Sequence, residues 1–170
     1  MIISILNCDK NWGIGKKNGL LFNLPKDMAF FRETTRGPVV CMGENTLLSF
    51  PGQKPLKNRV NIVLSKDENH NYEGVVNVHD FVEFLRKIKT YSENETVFII
   101  GGASIYSQTL PYVDEVLLTK VNADGGAEVF FPNLDQKPEF ECIEESDPVL
   151  DGNIEIRFCR YINKNKLTIN

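Results

Sequence analysis

The sequence predicts an α/β fold, a single domain on a mostly parallel twisted sheet of about eight strands, with four flanking helices and a C-terminal antiparallel hairpin. Three observations carry that expectation. Short, nearly continuous apolar runs rich in Val, Ile and Leu recur along the chain, as they do in strands buried on both faces. Helical patterns separate these runs, and helices are the usual connection between parallel strands. Near the C-terminus the alternation stops, and two apolar runs flank Asp151-Gly152, a pair suited to a hairpin turn. With 170 residues the chain can bury about two thirds of its unfolded surface in one core.

The elements follow in order. Met-Ile-Ile-Ser-Ile-Leu is too short and uncharged for a signal peptide, so Ile2–Cys8 reads as the first strand. Further strands are expected at Val39–Met42, Val60–Leu64, Val75–Val78, Val97–Ile100 and Glu115–Val121. Helices are expected at Leu24–Thr34, Asn45–Phe50, Phe81–Lys89 and Ser104–Leu110. In the third, Phe81, Phe84, Leu85 and Ile88 make one apolar face, opposite Glu83, Arg86, Lys87 and Lys89. Asp80 and Glu83 have the spacing of a capping box. Phe140–Glu145 and Ile154–Tyr161 should form the terminal antiparallel pair. The domain is expected over residues 1–163, with 164–170 as a tail whose last residues fray.

Composition narrows the function. Hydrophobic residues make up 42% and charged residues 25%, ordinary values for a soluble protein. A net charge of −4, without basic stretches interleaved with aromatics, argues against nucleic acid as a partner. No apolar run has membrane-spanning length, so no membrane partner is expected. Cys8, Cys41, Cys142 and Cys159 form no C-x-x-C pair and read as small buried hydrophobes in a reducing cytoplasm. Neither His70 nor His79 combines with them at metal-ligand spacing, so no metal is expected.

One acidic residue stands out. Pro25 suits the start of a helix, and Asp27 then falls in its first turn. On that helix Asp27 shares a face with Asn23, Leu24, Phe30 and Phe31, and the helix reads as otherwise buried. An acid near a helix start is also simply favoured by the dipole. A carboxylate held among Leu and Phe side chains, however, is placed for proton chemistry.

In parallel sheets ligands bind beyond the carboxyl ends of the strands. Four segments collect there. Asn11-Trp12-Gly13-Ile14-Gly15-Lys16-Lys17-Asn18-Gly19 is long and glycine-punctuated enough for a mobile flap. Gly43-Glu44-Asn45-Thr46 and Gly101-Gly102-Ala103-Ser104 each join a strand to a helix, and Ser65-Lys66 closes another strand. Glycines at such junctions let an anion approach free N–H groups, although Gly-Gly also serves as a plain tight turn. The Rossmann G-x-G-x-x-G fingerprint is absent. Spacing alone therefore reads as a nucleotide-binding α/β domain.

At these residues the chain resembles dihydrofolate reductases, from Met1 to about Tyr161. The resemblance rests on Trp12-Gly13-Ile14-Gly15, Leu24-Pro25-Lys26-Asp27, Met42-Gly43 with Thr46, and Pro55-Leu56 with Arg59. It continues through Ile100-Gly101-Gly102 with Tyr106, Leu118-Thr119 and Phe131-Pro132, all in family order and spacing. It implies an enzyme that reduces 7,8-dihydrofolate to tetrahydrofolate with NADPH, bound by dihydrofolate and antifolate inhibitors and working as a monomer.

The resemblance also implies roles. Asp27 matches the acid that hydrogen-bonds the pterin, and Thr119 the hydroxyl that braces it. Ile5, Asn7, Met28, Phe31, Phe50 and Leu56 match the walls around the substrate rings, and Arg59 the arginine that grips the glutamate tail. A guanidinium fork suits a carboxylate better than lysine does. Asn7, Ile14, Gly15 and Leu20 match the nicotinamide pocket and flap. Gly43, Glu44, Asn45 and Thr46, with Ile100, Gly101, Gly102, Ala103, Ser104, Ile105 and Tyr106, match the pyrophosphate cradle, with a cis peptide at Gly101-Gly102. Leu64, Ser65 and Lys66 match the 2′-phosphate pocket, with His79 beside the adenine.

Three residues depart from the family pattern. Glu44 stands where Arg or Lys is usual, so the preference for NADPH is expected to be narrowed, with the flexible carboxylate free to turn into solvent. Phe22 replaces a Trp whose N–H orders a water near the acid, and Leu21 stands where Pro is frequent. Two other readings share the fold: a reductase such as that of riboflavin biosynthesis, which needs neither the Asp27 helix nor Arg59, and a catalytically silent folate- or nucleotide-binding module, which would have lost the acid.

Overall fold

The computed structural model describes residues 1–16 and 20–170. At the centre of its sheet, β1 (Ile2–Cys8) runs parallel to β6 (Val97–Ile99) on one side and to β7 (Glu115–Val121) on the other. Beyond β6 lie β3 (Val39–Gly43), β4 (Val60–Leu64) and β5 (Val76–Val78), all parallel. Beyond β7 lies β11 (Ile154–Asn163), which is antiparallel to it. The far edge of β11 is shared by β9 (Phe140–Glu145) along its end and β10 (Val149–Asp151) along its start, giving a nine-stranded sheet. The two expected terminal strands do pair, but the Asp151-Gly152 turn joins β10, not β9, to β11. Gly152 has φ +66°, a conformation few side chains tolerate. Between β9 and β10, Ser146 accepts from Phe158 N through its hydroxyl and donates its own N–H to Phe158 O, both at 2.9 Å.

Successive β1 side chains point to opposite faces, and the sheet consequently carries two apolar layers. Ile2 and Cys8 join Val39, Cys41, Ile62, Val97 and Ile99 under α3 (Phe81–Ser92) and α4 (Ala103–Thr109). Ile3 and Ile5 join Val40, Met42, Val63 and Phe98 on the other face, toward α1 (Pro25–Thr34) and α2 (Glu44–Leu48). Helix α3 begins as its sequence dictates, with Asp80 Oδ1 accepting from Glu83 N at 2.8 Å and Phe84 and Ile88 buried, but it runs on to Ser92. Of the cysteines, Cys8, Cys41 and Cys159 are buried. Cys142 is exposed, contrary to expectation, because β9 is an outer strand with only Phe140 turned inward.

Helix α1 also differs from expectation. Asp27 is its one buried residue; Phe30 and Phe31 are half-buried and Met28 is 47% exposed. Phe30 and Phe31 pack on the core cluster of Ile3 and Ile5 but leave one side uncovered, and Met28 lies outside that cluster. Leu24 at its N-cap offers no side-chain acceptor. Asp151, 124 residues away at the end of β10, supplies one: its buried Oδ2 accepts from Asp27 N at 3.1 Å.

The last residues are tied down, not frayed. Lys164 N donates to Glu139 O (2.7 Å), Leu167 N to Pro111 O (2.9 Å), Lys166 pairs with Asp114 at 3.1 Å, and Ile169 is buried. Ile169→Ala should therefore cost about 2–3 kcal/mol in denaturant unfolding with an unchanged m-value. Asp151→Ala should cost about 1–2 kcal/mol through the lost cap, whereas Asp151→Asn, which keeps an acceptor oxygen, should retain most of it. Equal losses in both variants would assign the effect to the charge instead of the cap.

Candidate active site

The cleft under α1 is organised around one carboxylate. Thr119 Oγ1 donates to Asp27 Oδ1 at 2.6 Å, and Asn7 Nδ2 donates to Asp27 Oδ2 at 2.9 Å. The two donors come from neighbouring strands, where Asn7 of β1 lies directly opposite Thr119 of β7. Each oxygen thus has one fixed donor, and two lone-pair sites remain for a ligand with paired N–H groups. Behind them, the buried Tyr106 hydroxyl donates to Ile5 O at 2.7 Å. Burial pushes the Tyr106 phenol up, so it stays a donor.

The apolar wall gathers largely as expected. Phe31, Phe50 and Leu56 are half-buried and pack on the cluster that contains Ile5. Met28 stands away from that cluster on the open side of α1. Arg59 closes one end. Its Nε donates to Thr35 O at 2.5 Å, its two terminal nitrogens donate to Lys57 O and Arg32 O at 2.9 and 3.4 Å, and no carboxylate pairs with it among the described residues. Desolvation and the nearby Arg36 hold its pKa below the usual arginine value, yet guanidinium remains charged. The backbone carbonyls fix a cation that is left for an anion to neutralise.

At the other end, β3 and β6 finish side by side. Gly43 N donates to Gly101 O at 2.8 Å, and the Gly101-Gly102 peptide is cis, as the resemblance implied. A Cβ at Gly43 would lie 3.1 Å from Ile105 Cγ1, and one at Gly101, where φ is +132°, 3.1 Å from Thr46 Oγ1. A side chain at Gly43 would crowd Ile105, and one at Gly101 would crowd Thr46 in a backbone conformation that side chains rarely adopt. Ile100, Ile105 and Leu64 are buried beneath, Ala103 is half-buried, and Asn45 and Ser104 are exposed. Bare backbone with the Thr46 hydroxyl suits a pyrophosphate.

The neighbouring subsite fits a second phosphate poorly. Glu44 does not turn into solvent. Its Oε2 accepts from Ser65 Oγ at 2.9 Å and Tyr72 OH at 2.5 Å, and it pairs with His70 Nδ1 at 2.8 Å. The Tyr72 hydrogen bond is the main reason that the Glu44 carboxyl lies below the usual range, and the same bond pushes the Tyr72 phenol up to about 12. The Ser65 hydroxyl is thereby committed to a carboxylate, while Lys66 is exposed. His79 has both ring nitrogens engaged, by Ser65 O at 2.8 Å and Asn71 Oδ1 at 2.9 Å.

The glycine-punctuated segment is anchored where it begins. Buried Asp9 accepts from Asn11 N, Gly13 N and Gly125 N at 2.9, 2.7 and 3.1 Å. β2 (Gly13–Gly15), which contains Ile14, pairs with β8 (Val129–Phe130). Lys17, Asn18 and Gly19 lie outside the described residues, and Leu20 follows at 76% exposure. Phe22 packs against Leu24, Val121 and Ile156. Asp151 and Tyr72, and the contacts of Asp9 with Gly125 and of His70 with Glu44, had no sequence signal pointing to a site, since these partners are distant in the chain and meet only through the fold.

The comparisons agree with one another. The family model for dihydrofolate reductase matches residues 1–164. The dihydrofolate reductase of Bacillus subtilis is 35% identical over 136 residues, covering 80% of this chain and 78% of that one. That of Haemophilus influenzae is 35% identical over 150 residues, 88% of each. Among solved structures, dihydrofolate reductase from Enterococcus faecalis, complexed with NADP(H) and RAB-propyl, superposes with a TM-score of 0.83 at 27% identity, covering 96% of both chains. With the carboxylate, the cation and the glycine cradle arranged along one cleft, the chain belongs to the dihydrofolate reductase family.

Proposed function

We propose that this chain reduces 7,8-dihydrofolate to 5,6,7,8-tetrahydrofolate with NADPH in the cleft between Arg59 and the glycine cradle. The observation that carries the reading is Asp27, buried at the cleft floor with one fixed donor on each oxygen. NADPH supplies the hydride, and the pterin ring nitrogen takes up a proton. Asp27 accepts the pterin's 2-amino and neighbouring ring N–H groups, so its negative charge raises the proton affinity of the ring nitrogen next to the carbon that receives the hydride. The proton arrives through water, which Phe22, lacking an N–H, does not hold. Asn7 and Thr119 keep the carboxylate from turning away.

Ile5, Phe31, Phe50, Leu56 and, from the open side, Met28 enclose the substrate's rings and exclude water. Arg59 takes the α-carboxylate of the glutamate tail. Gly43, Thr46, Gly101 and Gly102 receive the pyrophosphate, and Ile14, Gly15 and Leu20 cover the nicotinamide. Asp27 together with Arg59 favours folate over the pyrimidine substrate of a riboflavin-type reductase, which would need neither. Antifolates that present the same paired N–H groups to Asp27 should compete with dihydrofolate. No helix is long and apolar enough to cross a membrane among the described residues; a cytoplasmic monomer is the state in which we expect the enzyme to work.

Asp27→Asn keeps the side chain's size and removes its charge. It should leave cofactor binding intact and slow dihydrofolate reduction about a hundredfold or more at neutral pH. The deficit should shrink at lower pH, as solvent acid protonates the substrate directly; a variant with wild-type turnover at neutral pH would remove Asp27 from the mechanism. Arg59→Lys should weaken dihydrofolate binding by about ten- to a hundredfold, the loss of a bidentate charged contact. Affinity for a pterin without the glutamate should hardly change, and equal weakening of both would place Arg59's effect in the fold.

A further inference from the structure

A second cluster of polar side chains lies beside the pyrophosphate cradle. The pterin end of the cleft lies over β1 and β7, where Asp27 meets Asn7 and Thr119. A dinucleotide with its pyrophosphate at Gly43 and Gly101 must therefore extend its adenosine over the ends of β4 and β5. Glu44 stands at that point: it follows Gly43 in the chain, and Gly43 lies opposite Leu64, the residue before Ser65. Its Oε2 holds three partners, whereas Oε1 has none among the described residues. His70 Nε2 reaches on to Asp67 Oδ2 at 3.3 Å, so the ring bridges two carboxylates.

Resting on the reading that NADPH binds this cleft, we propose that the Glu44–Ser65–His70–Tyr72 cluster sets cofactor selectivity, presenting Glu44 Oε1 to the adenosine ribose. A fixed carboxylate accepts a hydrogen bond from a 2′-hydroxyl, as acidic residues do in NAD sites, and opposes the two charges of a 2′-phosphate. Three donors on Oε2 prevent the usual escape of a surface glutamate into solvent. Ser65 cannot serve the phosphate while its proton is committed to Glu44, and Lys66 is an exposed, well-screened cation by comparison. The enzyme uses NADPH, but its 2′-phosphate adds little to binding, and NADH becomes a competent donor. Tyr72 and His70 act as positioning residues through Glu44.

Calorimetry with 2′,5′-ADP and 5′-AMP reads this directly, without turnover. The wild-type chain should bind the two within about threefold of each other. Glu44→Gln should tighten 2′,5′-ADP about tenfold with no gain for 5′-AMP, and Tyr72→Phe, which frees the carboxylate, should move the ratio the same way by less. The ratio of kcat/KM for NADPH over NADH, measured with dihydrofolate, should rise in the same order. A wild-type preference for 2′,5′-ADP of about thirtyfold or more, or a ratio unmoved in both variants, would overturn the proposal. If neither cofactor is oxidised in the presence of dihydrofolate, the underlying reading fails, and the proposal with it.

Discussion

The register of two strands sets the geometry of the whole site. Because Asn7 lies opposite Thr119 in the parallel β1–β7 ladder, two donors rise side by side from the sheet and meet the two oxygens of Asp27. Strand side chains alternate with period two, so a slip of one residue would turn one donor to the opposite layer and expose the carboxylate to a mismatch. The ladder is held on both sides, by β6 against β1 and β11 against β7, which leaves little freedom for such a slip. The third constraint arrives from the far end of the chain. Asp151 receives the N–H of Asp27 and so fixes the backbone from which the carboxylate hangs.

Around that point the cleft is polarised. Arg59 is a cation held by backbone carbonyls, and no carboxylate pairs with it among the described residues. Glu44 is the reverse case, an anion with three donors gathered on one oxygen. Between them lie half-buried aromatic and aliphatic side chains, which gain more from covering a flat ring than from facing water. A ligand with an acidic tail, a ring carrying paired N–H groups and an adjoining dinucleotide completes these contacts together. The cost of leaving α1's apolar side incompletely packed is thus tied to function, and it explains why a helix so rich in Phe buries only its aspartate.

Much of this was legible in the chain itself. Continuous Val/Ile/Leu runs gave β1, β4 and β7 to the residue, because strands buried on both faces tolerate few other side chains. The glycine junctions and the Pro25–Asp27 helix start were legible because their chemistry is local. The resemblance added the cis peptide and brought Asp27 and Thr119 together across 92 residues. What escaped depends on long-range placement. No local pattern tells that Asp151 caps a helix 124 residues earlier, that Tyr72 and His70 converge on Glu44, or that Ile169 is buried. Cys142 escaped for the opposite reason: its run reads as apolar, but β9 lies at an outer edge, where one side of each strand meets water.

We propose that one strand register places Asp27 to read the pterin while Arg59 and the glycine cradle hold the two ends of the ligand pair. A crystal structure of the chain with folate and oxidised cofactor tests it most directly. Both Asp27 oxygens should then lie on the 2-amino and neighbouring ring nitrogen, with the Asn7 and Thr119 hydrogen bonds retained, Arg59 on the glutamate α-carboxylate, and the pyrophosphate against Gly43 and Gly101. A pterin seated away from Asp27, or an Asp27 released from Asn7 and Thr119 when the ligand binds, would contradict it.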